Sequence, residues 1–146
     1  RALATAEGIA KNHKVKIVPC PELREIDYGA VEGLTFEQIS QQFPGTAEMI
    51  RRFDPEIIFP GGESFAEFAV RVGKFADRLK KHAPSETILV TAHGGVVRTL
   101  VCQLLGIGLE HWPQIRTDNA SLTIIDTDPR GDIISLLNDT SHLKDG

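Results

Sequence analysis

Residues 87–105 read Thr-Ile-Leu-Val-Thr-Ala-His-Gly-Gly-Val-Val-Arg-Thr-Leu-Val-Cys-Gln-Leu-Leu, and they predict a strand followed directly by a helix. The short apolar run Ile88–Val90 is typical of a strand buried on both faces. From residue 95 to 105 the apolar residues recur every three or four positions, and Gly106 stands where a helix would end. His93 is therefore predicted at the carboxyl end of a strand, just before a helix. In open α/β sheets ligands bind there, and free helix N–H groups favour an anion.

The residues around His93 suit an anion site. Gly94 and Gly95 allow a ligand to approach the backbone closely, and Arg98 adds a positive charge nearby. The functional interpretation is a phosphate or carboxylate site that contains an imidazole. The alternative is a loop histidine beside a turn that merely requires glycine.

The composition indicates an ordinary folded protein. The 146 residues are 41% hydrophobic and 25% charged, which favours a single folded domain over residues 1–146. The net charge of −4 and the lack of a basic run argue against nucleic acid, and no apolar stretch approaches the roughly 20 residues of a membrane span. Cys20 and Cys102 lack metal-ligand spacing, so we expect reduced thiols and a cytoplasmic location.

The rest of the chain alternates predicted helices and strands. Helices are predicted at 1–12, 35–43, 46–53 and 64–82, and strands at 15–18, 121–126 and 132–137, the last two forming a hairpin before a tail at 138–146. This order predicts an α/β fold, a three-layer sandwich with a mostly parallel central sheet, helices on both faces and an antiparallel edge.

The helix at 64–82 has the clearest amphipathic pattern. Phe65, Phe68, Val72 and Phe75 share one face, which predicts a core stripe rather than a ligand pocket. The opposite face, which includes Arg71, is predicted to face solvent.

Several polar residues lie at the ends of predicted elements: Arg1, Arg24, Glu25, Tyr28, Glu63, His93 and Arg98. Phosphoryl transfer needs cationic and N–H donors around the phosphoryl oxygens and an acid for the leaving alcohol. Arg1 and His93 suit the first task, and Glu25 or Glu63 the second. Each has a simpler alternative: a solvated Arg1, a Glu25–Arg24 pair, or a salt bridge of Arg98 at the end of the sheet.

Four motifs together resemble the histidine phosphatase superfamily, the phosphoglycerate-mutase-like fold. They are Thr-Ala-His-Gly-Gly-Val-Val-Arg at 91–98, Leu-Arg-Glu-Ile-Asp-Tyr-Gly-x-x-Glu-Gly at 23–33, Pro-Gly-Gly-Glu-Ser at 60–64 and Leu-Asn-Asp-Thr-Ser-His-Leu at 137–143. The opening Arg-Ala-x-Ala-Thr-Ala also resembles a helix start of that family. The match is closest to its phosphatase branch, such as alpha-ribazole and broad-specificity phosphatases.

The resemblance implies a role for each matched residue. His93 would donate to the phosphoryl group, Arg1 would clamp the phosphate and Glu25 would be the general acid. Gly94 would belong to the phosphate-binding set. Tyr28, Glu63 and Ser64 would line the mouth of the substrate site.

One departure concerns the nucleophile. The family carries it in an arginine-histidine-glycine motif at the end of its first strand, and this sequence has no such motif. We therefore expect an N-terminal strand–helix unit of about 50 residues to be absent from this chain, which alone should not turn over.

The predicted function is hydrolysis of a small phosphate ester through a phosphohistidine, with no metal or other cofactor. Two alternatives stay open: phosphoglycerate mutase-type transfer, and an inactive phosphate-binding or interaction module. The compact connection between residues 33 and 60 favours hydrolysis, because mutases of the family carry a long insertion there. The expected binding partner is a small phosphorylated metabolite. We expect no binding to nucleic acid or to a membrane, and the sequence leaves a homodimer open.

Overall fold

The computed structural model describes residues 1–143, and the end of the predicted tail, 144–146, lies outside them. The described chain forms five α-helices and one two-stranded antiparallel sheet. The helices are α1 (Ala2–Ala10), α2 (Phe36–Gln42), α3 (Pro44–Arg52), α4 (Phe65–Leu79) and α5 (Gly94–Leu105), and the strands are β1 (Leu122–Asp126) and β2 (Ile133–Asp139). Short 3-10 segments occur at Pro21–Leu23, Gly29–Val31, Leu109–Gln114 and Ser141–Leu143.

The predicted core stripe is confirmed at three of its four positions. The fourth, Phe65, is only half-buried and lines a cavity that Phe68 also borders. On α4, Phe68 and Val72 are fully buried and Phe75 is 6% exposed. They form one apolar cluster with Val96 and Leu100 of α5. The two helices therefore bury their apolar faces in the same core, which fixes where α5 begins.

The helix boundaries follow local chemistry that the sequence already carries. Thr35 and Gln38 form a reciprocal capping box at the start of α2. Gly106 ends α5 in the left-handed conformation, with φ of 66°, which glycine adopts without steric cost. α1 and α4 are shorter than predicted because their last polar residues leave the helix.

The predicted terminal hairpin is confirmed, with β1 and β2 antiparallel and Ile125 opposite Ile134. These two side chains pack against a second apolar cluster, built from Val101 and Cys102 of α5 and Ile115. The hairpin therefore covers a part of α5 that the α4 cluster does not reach.

The predicted mostly parallel central sheet is not found among residues 1–143. No backbone hydrogen bond within the described chain joins 15–18 or 88–90 to a neighbouring strand. Ile88 is 40% exposed and Leu89 is 59% exposed, so the expectation that this run is buried on both faces is not met within residues 1–143. A strand requires a partner for its ladder, and no described segment supplies one. The apolar run still contributes through Val90, which packs against the core.

Within the described chain, no helix is long and apolar enough to cross a membrane.

Removing a ring from the α4 stripe should destabilise the protein. Phe68→Ala or Phe75→Ala should lower the free energy of unfolding by about 3–5 kcal/mol, because each leaves a cavity in a packed core. Val70→Ala is the matched control on the same helix, since Val70 is 64% exposed. Denaturant unfolding of the three variants measures the difference, and wild-type stability in both phenylalanine variants would contradict the packing described here.

Candidate active site

The carboxylate of Glu25 lies against the first turn of α5. A Cβ atom placed on Gly95 would stand 2.7 Å from Oε1 of Glu25. The same oxygen accepts a hydrogen bond from the backbone N–H of Ile26 at 3.1 Å, and the side chain is half-buried. Glycine at position 95 is therefore what allows this carboxylate to approach the helix, two residues from His93.

His93 is the residue immediately before α5 and is half-buried. Its carbonyl accepts the first helical bond, from Val97 N at 2.9 Å. The N–H groups of residues 94–96 precede that bond, and such groups at a helix start attract an anion. The imidazole does not cap the helix, and no acidic residue lies in its first turn.

Arg1 is exposed at the start of α1. The next residue, Ala2, accepts a hydrogen bond through its carbonyl from the Thr91 hydroxyl at 3.1 Å. Because Thr91 precedes His93 by only two residues, this contact ties the start of α1 to the backbone that leads into α5. The structure thus brings the backbone around Arg1 towards His93, while the predicted roles of Arg1, His93 and Gly94 stay predictions.

The Glu63 carboxylate is held by Arg71. Arg71 donates through Nε and Nη2 to the two carboxylate oxygens at 2.8 and 2.7 Å, and both side chains are less than 20% exposed. Hydrogen bonding to Arg71 holds the pKa of Glu63 below its usual range. Arg71 thus keeps the Glu63 carboxyl ionised.

Arg71 also fixes the loop that carries Glu25. Its Nη1 donates to the carbonyls of Glu22 at 2.8 Å and Arg24 at 2.9 Å. The expectation that Arg71 faces solvent was wrong, because its side chain is 18% exposed and its guanidinium carbon lies over the Phe68 ring, 5.2 Å from the ring centroid. A long side chain can cross from the polar edge of a helix to a neighbouring loop, which helical periodicity does not reveal.

Ser64 is the N-cap of α4. Its hydroxyl accepts from Glu67 N at 3.1 Å, and the Glu67 carboxylate accepts from Ser64 N at 2.9 Å. These bonds form a capping box, so the hydroxyl already has a structural task at the helix start. A substrate-binding role for Ser64, as for Glu63, stays a prediction.

Tyr28 packs edge-to-face on Phe59, with ring centroids 5.0 Å apart. Burial, with Glu25 and Glu32 nearby, raises the pKa of Tyr28 to about 12, against a smaller opposing effect of Arg98. The phenol is therefore neutral at physiological pH and can donate a hydrogen bond at the edge of the site.

Trp112 was not among the predicted site residues, although it is the only tryptophan of the sequence. Its indole Nε1 donates to the Gly95 carbonyl and to the buried Thr99 hydroxyl, both at 3.2 Å. The Arg98 guanidinium lies over its ring, 4.6 Å from the centroid. Trp112 thus fixes the start of α5 from the side of the 3-10 segment 109–114. The sequence hinted at this role only through the single tryptophan followed by a proline.

Arg98 has a partner other than the predicted salt bridge. Its Nε donates to the Thr117 hydroxyl at 3.1 Å. The same hydroxyl stands 3.0 Å from the place a Cβ on Gly94 would take. A side chain at position 94 would therefore crowd Thr117, as one at position 95 would crowd Glu25.

Within residues 1–143, no three side chains of His, Cys, Asp or Glu gather closely enough to hold a metal ion.

The Arg71–Glu63 pair should make stability depend on pH. The pKa of Glu63 is lowered in the folded state, so its contribution is present above the unfolded value of about 4.3 and is lost as pH falls. Glu63→Gln should therefore lower the free energy of unfolding by about 1–3 kcal/mol at neutral pH, and this difference should shrink under acid. Glu56→Gln, at an exposed carboxylate, is the control. Equal pH profiles for wild type and Glu63→Gln would contradict the role of the pair.

Comparison with known proteins places this geometry in a family. The histidine phosphatase superfamily (branch 1) matches residues 1–140. Phosphoserine phosphatase 1 of Hydrogenobacter thermophilus is 32% identical over 146 residues, which cover 98% of this chain and 68% of that relative.

Two solved structures share the fold. The alpha-ribazole phosphatase of Shigella flexneri has a TM-score of 0.83 at 26% identity, covering 94% of this chain and 68% of that one. A mycobacterial glucosyl-3-phosphoglycerate phosphatase has a TM-score of 0.77 at 26% identity, covering 94% and 72%. The family predicted from the motifs is confirmed: the chain belongs to branch 1 of the histidine phosphatase superfamily.

Proposed function

We propose that this chain carries most of the active site of a phosphomonoesterase that hydrolyses a small phosphate ester through a phosphohistidine. The observation that carries the proposal is the Glu25 carboxylate against Gly95, beside His93 and the free N–H groups of α5. The reaction class is supported by relatives named as phosphatases of phosphoserine, alpha-ribazole and glucosyl-3-phosphoglycerate. A cytoplasmic location remains part of this prediction.

The phosphoryl group is bound at the start of α5 in this proposal. His93, Arg1 and the N–H groups from Gly94 onward donate to its oxygens, where negative charge develops during transfer. A nucleophilic imidazole from outside these 146 residues attacks phosphorus, and the bond from phosphorus to the ester oxygen breaks.

Glu25 acts as the acid and then as the base. It donates a proton to the leaving oxygen, which departs as an alcohol. It then accepts a proton from water, which attacks phosphorus and breaks the bond from phosphorus to the imidazole, releasing phosphate. Glu63 is a poor candidate for this task because Arg71 holds it ionised and hydrogen-bonded.

The test of this proposal uses a protein that includes the nucleophile. Glu25→Gln keeps the shape of the side chain and removes its proton, so turnover of phosphate esters should fall by about 10²–10⁴-fold. The labelled phosphoenzyme should accumulate in the variant after acid quench. His93→Ala should be severely impaired because it removes a donor to the developing charge.

Glu56→Gln is the control, since Glu56 is exposed and has no part in the proposed reaction. Release of inorganic phosphate from a panel of esters measures the activity, and transfer between positions of phosphoglycerate reports the mutase alternative. Full activity in Glu25→Gln, or the absence of any hydrolysis, would refute the phosphatase proposal.

A further inference from the structure

A largely apolar cavity of about 190 Å³ adjoins the start of α5. Gly95 forms part of its wall, and Tyr28 and Trp112 line it together with Phe65 and Met49. A Cβ atom on Gly95 would stand 2.7 Å from Oε1 of Glu25, so this part of the cavity wall adjoins the proposed acid. A leaving group attached to a phosphoryl group at α5 therefore has this cavity beside it.

The charge of the cavity restricts what can enter. Asp54 is the only charged residue among the described lining residues, and none of them is lysine, arginine or histidine. The Asp54 carboxylate already accepts a hydrogen bond from Glu56 N at 2.9 Å. Arg98 and Arg71 lie over the rings of two lining residues, but neither guanidinium lines the cavity itself. A carboxylate on the leaving group would therefore meet no cation in the cavity wall, and burying an unpaired charge is costly.

The size of the cavity suits a single ring. A cavity of about 150 Å³ lined by aliphatic and aromatic side chains is enough for benzene. The roughly 190 Å³ here thus accommodates a monocyclic or branched apolar group.

Phe53 supplies an independent observation. It ends α3 in the left-handed conformation, with φ of 51°, which a bulky side chain rarely adopts. Its side chain is nevertheless 60% exposed and lines the cavity. Neither the backbone conformation nor burial therefore favours phenylalanine at this position, whereas an apolar ligand in the cavity would contact its ring.

We propose that this cavity binds the leaving group of the substrate and selects phosphate esters of small, uncharged aromatic or branched apolar alcohols. The proposal rests on the proposed function, because the phosphoryl end is bound at α5. It predicts that phosphoserine, after which one relative is named, is a poor substrate of this protein. The serine leaving group carries both a carboxylate and an ammonium.

Trp112 reports on the cavity directly because it is the only tryptophan and lines the wall. Its fluorescence can be followed while a protein that includes the nucleophile, carrying Glu25→Gln to slow turnover, is titrated with phenyl phosphate, phosphoserine, inorganic phosphate or phenol. Phenyl phosphate should bind about tenfold more tightly than either phosphoserine or inorganic phosphate, the value expected for partial burial of one ring.

Phe53→Asn removes the ring and places a residue that tolerates the left-handed conformation. It should keep the thermal stability of wild type and weaken phenyl phosphate binding about tenfold, with inorganic phosphate unaffected. Phe36→Asn is the matched control, because Phe36 is a half-exposed phenylalanine that does not line the cavity.

The outcomes distinguish the two proposals. Equal binding of phenyl phosphate and phosphoserine, or unchanged binding in Phe53→Asn, would overturn the leaving-group assignment and leave the phosphatase proposal in place. Binding of phenol as tight as that of phenyl phosphate, with no response to inorganic phosphate, would refute the anion site at α5 and the substrate assignment with it.

Discussion

The fixed position of the Glu25 loop depends on the contact between Arg71 and the polar groups around it. Residues 22–33 contain turns and 3-10 segments and no strand, so their carbonyls lack the partners that regular structure provides. Arg71 donates to three of those carbonyls and to both oxygens of Glu63, and the helix it extends from buries Phe68 and Val72 in the core. A guanidinium suits this task because it presents several donors in a rigid plane. The loop that carries the proposed acid is thereby attached to the core of the protein.

Once the loop is held, glycine decides how closely it approaches α5. A side chain at position 95 would meet the Glu25 carboxylate, and one at position 94 would meet Thr117. Trp112 fixes the same turn of the helix by donating to the Gly95 carbonyl. Three separate parts of the chain therefore converge on the start of α5. This convergence explains why the polar residues near His93 are distributed over distant motifs in the sequence.

The two candidate acids differ in their partners rather than in their chemistry. Glu63 is paired with Arg71, whereas Glu25 accepts one backbone N–H and lies beside the free N–H groups of a helix start. Both are glutamates in glycine-containing loops, so local sequence could not separate them. On the far side of Gly95 the walls become apolar, with Tyr28 at the junction as a neutral phenol. In the proposed site, the phosphoryl end thus meets polar N–H groups, whereas the leaving-group end meets apolar side chains.

The sequence alone determined the features that depend on neighbours along the chain. These include the capping boxes, the amphipathic face of α4, the glycine end of α5, the terminal hairpin and the family, because each is written in residues a few positions apart. The tertiary structure decided what depends on partners far along the chain: the inward course of Arg71, the pairing of Glu63, the cavity beside Trp112 and, within residues 1–143, the lack of a ladder at 88–90. Hydrogen-bond ladders, ion pairs and cavities require groups that are distant in sequence to meet, and periodicity carries no information about which groups those are.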